Sequence, residues 1–363
     1  MQTTILKKDF INALTIGGAM AGKNKTLPIL DSAKVEVTTD TISVHSFNGE
    51  SWVTKQTKVE SADTTFAFCI NPNDLVKALK SLAEEVVTFS IEGNLLRIEH
   101  FKGTMEMPVV DSTEFPSPSI AVDGIKFDIE SSKLKEWLFI SSSFVSSDDL
   151  IPVMCGMYFY SDEGRVGVCA TDAHKLWCDS IDKHCEDFGI VVPSSGIKPL
   201  AGLLEGCEGC VITINGNLFS VTMDNAKFHC RLVEGKFPNF KAVIPSNNPI
   251  KVDVSKSELQ DSINRAQLMT NKSTSLLKLS VRDCSMDIEG NDVEFCKSAK
   301  ETIKVEKKGD DITIGVKADI LSIALSTVKS ESFSLLLSKP ERPILISEKD
   351  DKKVILIMPM MLK

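Results

Sequence analysis

The stretch FAFCINPNDLVKALKSL (residues 66–82) reads as an apolar strand, a short polar turn and an amphipathic run, and the chain writes it three times. Its counterparts are GIVVPSSGIKPLAGLL (189–204) and ITIGVKADILSIAL (312–325). Pro72 and Pro193 mark the turn 121 residues apart, and Val316 takes the third slot 123 residues further on. A second trio opens each third of the chain: KKDFINALTIGGAMAG (7–22), SSKLKEWLFISSSFVSS (131–147) and KSELQDSINRAQLMTN (256–271). IEGNLLRI (91–98) returns as INGNLFSV (214–221), and STEFP (112–116) returns as EGKFP (234–238). The 363 residues amount to three such periods. A repeat this long is a whole domain, and it decides architecture before any single motif does.

Between the helical runs the chain reads as strand after strand. KVEVTTDTISVHSF (34–47), VVTFSIEGNLLRIEHF (86–101), CVITINGNLFSVTM (210–223) and LLKLSVRDCSMDIEG (276–290) alternate apolar and polar residues and break at Asp, Asn or Gly, as hairpins do. Each third then holds two helices and about eight strands, an α+β domain with helices against antiparallel sheets. Six helices are expected, over 7–25, 72–83, 131–147, 194–204, 256–272 and 317–329. Turn-formers cluster at FPSPSIAVDG (115–124) and IPSNNPIK (244–251), which divides the chain into domains 1–122, 123–247 and 248–363. A solenoid would show one short period throughout, so an arc of three domains is expected.

The net charge of −9 argues against nonspecific wrapping of nucleic acid. The six helical runs nevertheless carry a net +8, which leaves −17 on the rest, so weakly basic helices stand on an acidic strand framework. An elongated anion threading the arc suits that split. The ten cysteines are irregularly spaced and no secretory signal opens the chain, which points to reduced thiols in a cytoplasmic protein. No apolar run is long enough to span a bilayer.

Three motifs suggest other chemistry. GGAMAGKN (17–24) nearly spells a phosphate-binding loop, but Asn24 cannot supply the magnesium-binding hydroxyl and the segment ends a helix where such a loop would begin one. CEGC (207–210) has metal or redox spacing without a second ligand pair. If ATDAHKLWC is a strand leaving a turn, Asp172, His174 and Cys178 would share a face but be spaced too far along it for nucleophilic catalysis, and a turn carrying a partner-binding surface is the favoured reading. The C-terminal VILIMPMMLK (354–363) runs a strand into Pro359 flanked by Met358, Met360 and Met361, either a core strand or an adaptable apolar surface.

TLPIL (26–30), DDLIPVMCGMYF (148–159), ATDAHKL (170–176), RLVEGKFPNFKAVIP (231–245) and LIMPMML (356–362) resemble, in order along the chain, signature stretches of the bacterial sliding clamp family, the beta subunit of DNA polymerase III. The resemblance implies a three-domain subunit forming half of a ring. Two subunits join head to tail as a homodimer around double-stranded DNA, with helices lining the hole. It implies a processivity factor, not an enzyme, with no cofactor and no metal. Its implied partners are the DNA polymerase III alpha subunit, an ATP-dependent clamp loader that opens the ring, and other proteins carrying a clamp-binding motif. They would dock a short peptide between the second and third domains, on Met154, Thr171, His174, Lys175, Leu176, Pro238, Val243, Pro343, Met358, Pro359, Met360 and Met361. By the same resemblance Lys23, Asn24, Lys25 and Lys198 would touch DNA, and Met105 and Met107 would meet Leu268 and Met269 of a second subunit. Ala173, Lys175, Asn24, Met361 and the extra Lys363 depart from the family pattern and bear on DNA-loop strength and peptide preference. The alternative is a clamp-like scaffold, for example from a mobile element, that binds partners without encircling DNA.

Overall fold

The computed structural model describes residues 2–22, 27–117, 123–348 and 352–362. Lys23, Asn24, Lys25 and Lys363 lie outside the described residues, as does the 122/123 domain boundary. Six α-helices follow the repeat: α1 (Lys7–Gly17), α2 (Pro72–Ser81), α3 (Ser131–Phe144), α4 (Ser194–Leu203), α5 (Lys256–Ala266) and α6 (Ala318–Thr327). Each begins on the residue after a strand ends, except α2, which Asn71 separates from its strand. Asn71 caps α2 by accepting the amides of Asn73 (3.0 Å) and Asp74 (3.2 Å), and Pro72 at the first helical position loses nothing by lacking an N–H.

One backbone contact recurs three times. The first residues of α1, α3 and α5 donate their amides to carbonyls just beyond the paired helix: Lys7 to Glu85 (2.7 Å), Ser131 to Glu208 (3.1 Å) and Lys256 to Glu331 (2.7 Å). This satisfies an otherwise orphaned helix N-terminus and ties the two helices of each repeat to one sheet. The hairpin after the second helix recurs as well. In the first two repeats its turn holds a glycine at positive φ, Gly93 at 63° and Gly216 at 55°.

α1 ends at Gly17, well short of residue 25. The cause is tertiary. A Cβ on Gly17 would lie 2.7 Å from the Val44 carbonyl oxygen, and one on Gly18 would lie 2.6 Å from the Pro72 Cβ. The glycine pair thus allows the helix end to close on a strand and on α2, which accounts for the glycines of the near-match phosphate loop. The other five helices also end one to six residues early. Their net charge accordingly falls from +8 to +3, because Lys23, Lys25, Lys272, Lys317 and Lys329 lie outside the helices proper. Of these five, Lys272, Lys317 and Lys329 are described, and they flank α5 and α6.

The strands form four antiparallel sheets of five, eight, nine and four strands. Two of these sheets join repeats. Ser51–Lys58, the fourth strand of the first repeat, pairs with Ala226–Arg231, the last of the second, in register Val53↔Phe228 and Trp52↔His229. Lys175–Asp182, the fourth strand of the second repeat, pairs with Val354–Ile357, the last of the third, in register Leu176↔Leu356. The chain therefore separates into two compact units, Met1–Phe139 with Val192–Val233 and Ile140–Val191 with Glu234–Lys363, each built around one such seam. In the first unit Phe10 stacks on Phe89 (5.2 Å between centroids) within a core that also takes Phe66 and Phe68 from the repeat-defining stretch.

The first seam contains a titratable group. His229 is 5% exposed, and its Nδ1 lies 2.7 Å from the Ser220 hydroxyl. Burial, aided by nearby Lys227, lowers its pKa from 6.5 to about 4. Between those values the unfolded chain binds the proton and the folded chain does not, so stability falls as pH drops through this window. Urea unfolding at a series of pH values should show a loss of roughly 3 kcal/mol between pH 6.5 and 4 that is absent from His229→Gln.

Candidate functional site

The twelve residues expected to form a peptide groove all lie in the second compact unit. Strand Arg165–Thr171 passes through a tight turn into Lys175–Asp182. Asp172 builds the turn: its Oδ1 accepts the amides of His174 (2.9 Å) and Lys175 (2.8 Å), while Oδ2 pairs with the Lys175 ammonium. The Thr171 hydroxyl donates to the Lys175 carbonyl at 2.8 Å. Ala173 takes φ 72°, a left-handed conformation that costs a residue with a Cβ on the order of 1 kcal/mol. His174 is left exposed at the tip, while Lys175 and Leu176 are buried at 8% and 2% exposure.

The C-terminal segment docks against this turn. Lys175 lies opposite Ile357, and the Met358 amide donates to the His174 carbonyl at 2.8 Å. Ile357 also pairs with Ile344 on its other side, which brings Pro343 alongside Met358. Two residues on, the Met360 amide donates to the Gly315 carbonyl at 2.8 Å, a bridge to the four-stranded sheet. Pro359, with no amide hydrogen, sits between these two donors. The segment is thus pinned to two sheets. Met358, Pro359 and Met360 are half-buried, and Met361 is 81% exposed.

A second group completes the set. Met154 ends the short helical turn Pro152–Met154, and its carbonyl accepts the Ser146 amide at 2.8 Å. The following strand, Gly156–Asp162, pairs with Arg165–Thr171 in register Tyr158↔Cys169, which sets Met154 near the Thr171 end. Pro238 and Val243 are exposed on the segment that follows the second repeat. Phe237 anchors that segment by stacking on Tyr158 at 4.5 Å, and Phe240 lies 5.4 Å from Tyr160. The turn and the C-terminal strip are thus in direct contact, while Pro238 and Val243 lie on a segment anchored to the neighbouring strand through Tyr158 and Tyr160.

Two contributors stand outside the twelve expected residues. Asp172 shapes the turn by accepting two amides and pairing with an ammonium. Gly315 was taken as a strand residue, yet a Cβ there would lie 2.5 Å from the Met360 carbonyl oxygen and 3.0 Å from Leu362 Cδ2. An isolated glycine within a strand pattern signals such close approach.

The alternative chemistries do not assemble. Asp172 and His174 sit in a turn, while Cys178 is buried on the following strand with its Sγ 2.9 Å from Cys169. In CEGC, Cys207 is directed at the Leu203 carbonyl and Cys210 at that of Ile129. Among the described residues no helix is long and apolar enough to cross a membrane.

The remaining expected contacts are placed as follows. Lys198 is exposed on α4. Met105 and Met107 are half-buried on Gly103–Pro108, an edge strand of the five-stranded sheet. Leu268 (67% exposed) and Met269 occupy a short helical turn after α5, and Leu268 and Phe295 (68% exposed) help line a cavity of about 660 Å³.

Family models match the whole length: the N-terminal domain of the DNA polymerase III beta subunit over residues 1–119, the central domain over 128–239 and the C-terminal domain over 241–361. The beta sliding clamp of Pseudomonas aeruginosa is 24% identical over 368 residues, covering 100% of both chains. That of Streptococcus pneumoniae R6 is 22% identical over 370 residues, covering 98% of each. Among solved structures, the P. aeruginosa sliding clamp bound to griselimycin superposes with a TM-score of 0.95 at 22% identity over 100% of both chains. The Thermotoga maritima beta subunit does so with a TM-score of 0.92 at 20% identity over 100% of both chains. The family is that of a non-catalytic processivity factor in DNA replication, with DNA and polymerase as its general partners. With three domain models matched in order from residue 1 to residue 361, the chain belongs to the bacterial beta sliding clamp family, the beta subunit of DNA polymerase III.

Proposed function

We propose that two copies of this chain close head to tail into a ring around double-stranded DNA and hold the replicative polymerase on its template. One observation carries this reading. The chain twice pairs the fourth strand of one repeat with the last strand of the next. It leaves one strand of each kind on a sheet edge: Lys297–Lys304, the fourth of the third repeat, and Gly103–Pro108, the last of the first. An open edge of backbone donors and acceptors is a template for pairing, and a second copy supplies the complement at both ends. Met105 and Met107 lie on one edge. Leu268, Phe295 and Val293 (88% exposed) lie near the other as an apolar patch suited to the joint.

A closed ring holds DNA by topology and needs only weak phosphate contacts, from Lys198 and from Lys23, Asn24 and Lys25. Few strong contacts suit sliding, since each would add drag and salt dependence. The turn at Asp172, the 358–361 strip and the 237–243 loop form the groove for clamp-binding peptides of the polymerase alpha subunit, the clamp loader and other partners. The protein works in the cytoplasm.

With a clamp loader supplied, the protein should stay on nicked circular DNA and be lost once the circle is cut. Equal retention on circle and linear DNA excludes topological binding, and retention on neither, by an intact dimer, favours a scaffold. Leu268→Asp, at an exposed position, should weaken the dimer about tenfold or more in sedimentation velocity without lowering Tm. The P. aeruginosa clamp binds griselimycin, and we propose that this chain takes the same compound in the groove. Gly315→Val should weaken its binding about tenfold in calorimetry, because the Met360 carbonyl must move.

A further inference from the structure

The chain has twelve methionines, and their exposure is not scattered. Among the described residues Met20, Met157 and Met286 are fully buried and Met223 is 5% exposed. The seven others divide between two places. Met105, Met107 and Met269 lie at the proposed ring joint, where a second copy would cover them. Met154, Met358, Met360 and Met361 lie at the proposed groove, which stays open whenever no partner is seated, and Met361 is 81% exposed. In an assembled ring the accessible thioethers are therefore concentrated on the partner-binding surface.

We propose that these four methionines, Met361 foremost, are a reversible oxidation site through which peroxide weakens partner binding; this rests on the groove reading above. In the reaction the Sδ lone pair of methionine attacks one oxygen of hydrogen peroxide. The O–O bond breaks, an S–O bond forms, and the other oxygen leaves as water after taking up the remaining peroxide proton. Sulfur loses two electrons and peroxide gains them. The product replaces a flexible apolar side chain with a polar sulfoxide. Seating a partner would then bury a strong acceptor on an apolar surface, which is unfavourable without a donor to meet it. The backbone does not yield to accommodate the change, because the amides of Met358 and Met360 are held by His174 and Gly315. Methionine sulfoxide reductases reverse the step.

The test treats the dimer with hydrogen peroxide, maps sulfoxides by peptide mass spectrometry and measures griselimycin binding before and after. Met361 and its three groove neighbours should be oxidised ahead of Met20, Met157 and Met286, and binding should weaken about tenfold or more. Methionine sulfoxide reductase with its reductant should restore binding. A thiol reductant alone should not, which separates the effect from oxidation of the exposed Cys284 and Cys296. The variant with Met154, Met358, Met360 and Met361 all changed to Leu, whatever affinity it starts from, should show no further loss of binding after peroxide, and a loss of about tenfold in that variant overturns the proposal. Stoichiometric sulfoxide at the groove with unchanged affinity overturns the proposal, as does recovery with a thiol reductant alone. Oxidation of the buried methionines first, or at an equal rate, also overturns it. If the untreated protein fails to bind griselimycin, the groove reading fails, and the oxidation order still decides the site.

Discussion

The fold rests on backbone hydrogen bonds made between repeats. The fourth strand of one repeat adds the last strand of the next to its sheet, so the eight- and nine-stranded sheets each run across a repeat boundary. Such bonds use N–H and C=O groups that every residue except proline carries. They constrain side chains little, which explains how the seam residues can differ completely, Trp52 facing His229 in one and Leu176 facing Leu356 in the other. Sheet continuity also explains why the two compact units do not coincide with the three repeats. Cutting at a repeat boundary would sever a ladder, whereas the second repeat can be divided between its two sheets.

The same economy governs the candidate groove. A five-residue strip leaves the nine-stranded sheet and is held through alternate amides by two different partners, with a proline between them. The backbone is fixed while the methionine side chains retain three rotatable bonds each. A surface of that kind repacks around different apolar ligands without the cost of ordering a loop. The Asp172 turn is built on the same logic: one carboxylate accepts two amides and an ammonium, and so shapes the wall against which the strip docks.

Charge is arranged more sparingly than the helical runs suggest. The helices proper hold a small net positive charge, and Lys272, Lys317 and Lys329 flank α5 and α6. A few cations on an acidic chain suit weak, movable contact with phosphates better than tight binding.

By itself the sequence determined the three-fold repeat, the α+β class and the helix starts, five of the six on the residue where the structure begins them and α6 one residue later. Those features follow from local signals: periodicity, a capping Asn71, Pro72 at a first helical position. Helix ends were less legible, since α1 stops at Gly17 through its approach to Val44 and Pro72, groups distant in sequence. The residues proposed for the groove and for the joint came from family resemblance, whereas Asp172 as turn-builder and Gly315 as the partner of the Met360 amide came only from the structure. Only the tertiary structure decided which strands join the repeats, how the chain divides into units and what pins the C-terminal strip. The physical reason is common to all three. These contacts are made by backbone groups over long sequence separations, and a backbone amide leaves no trace in the identity of its residue.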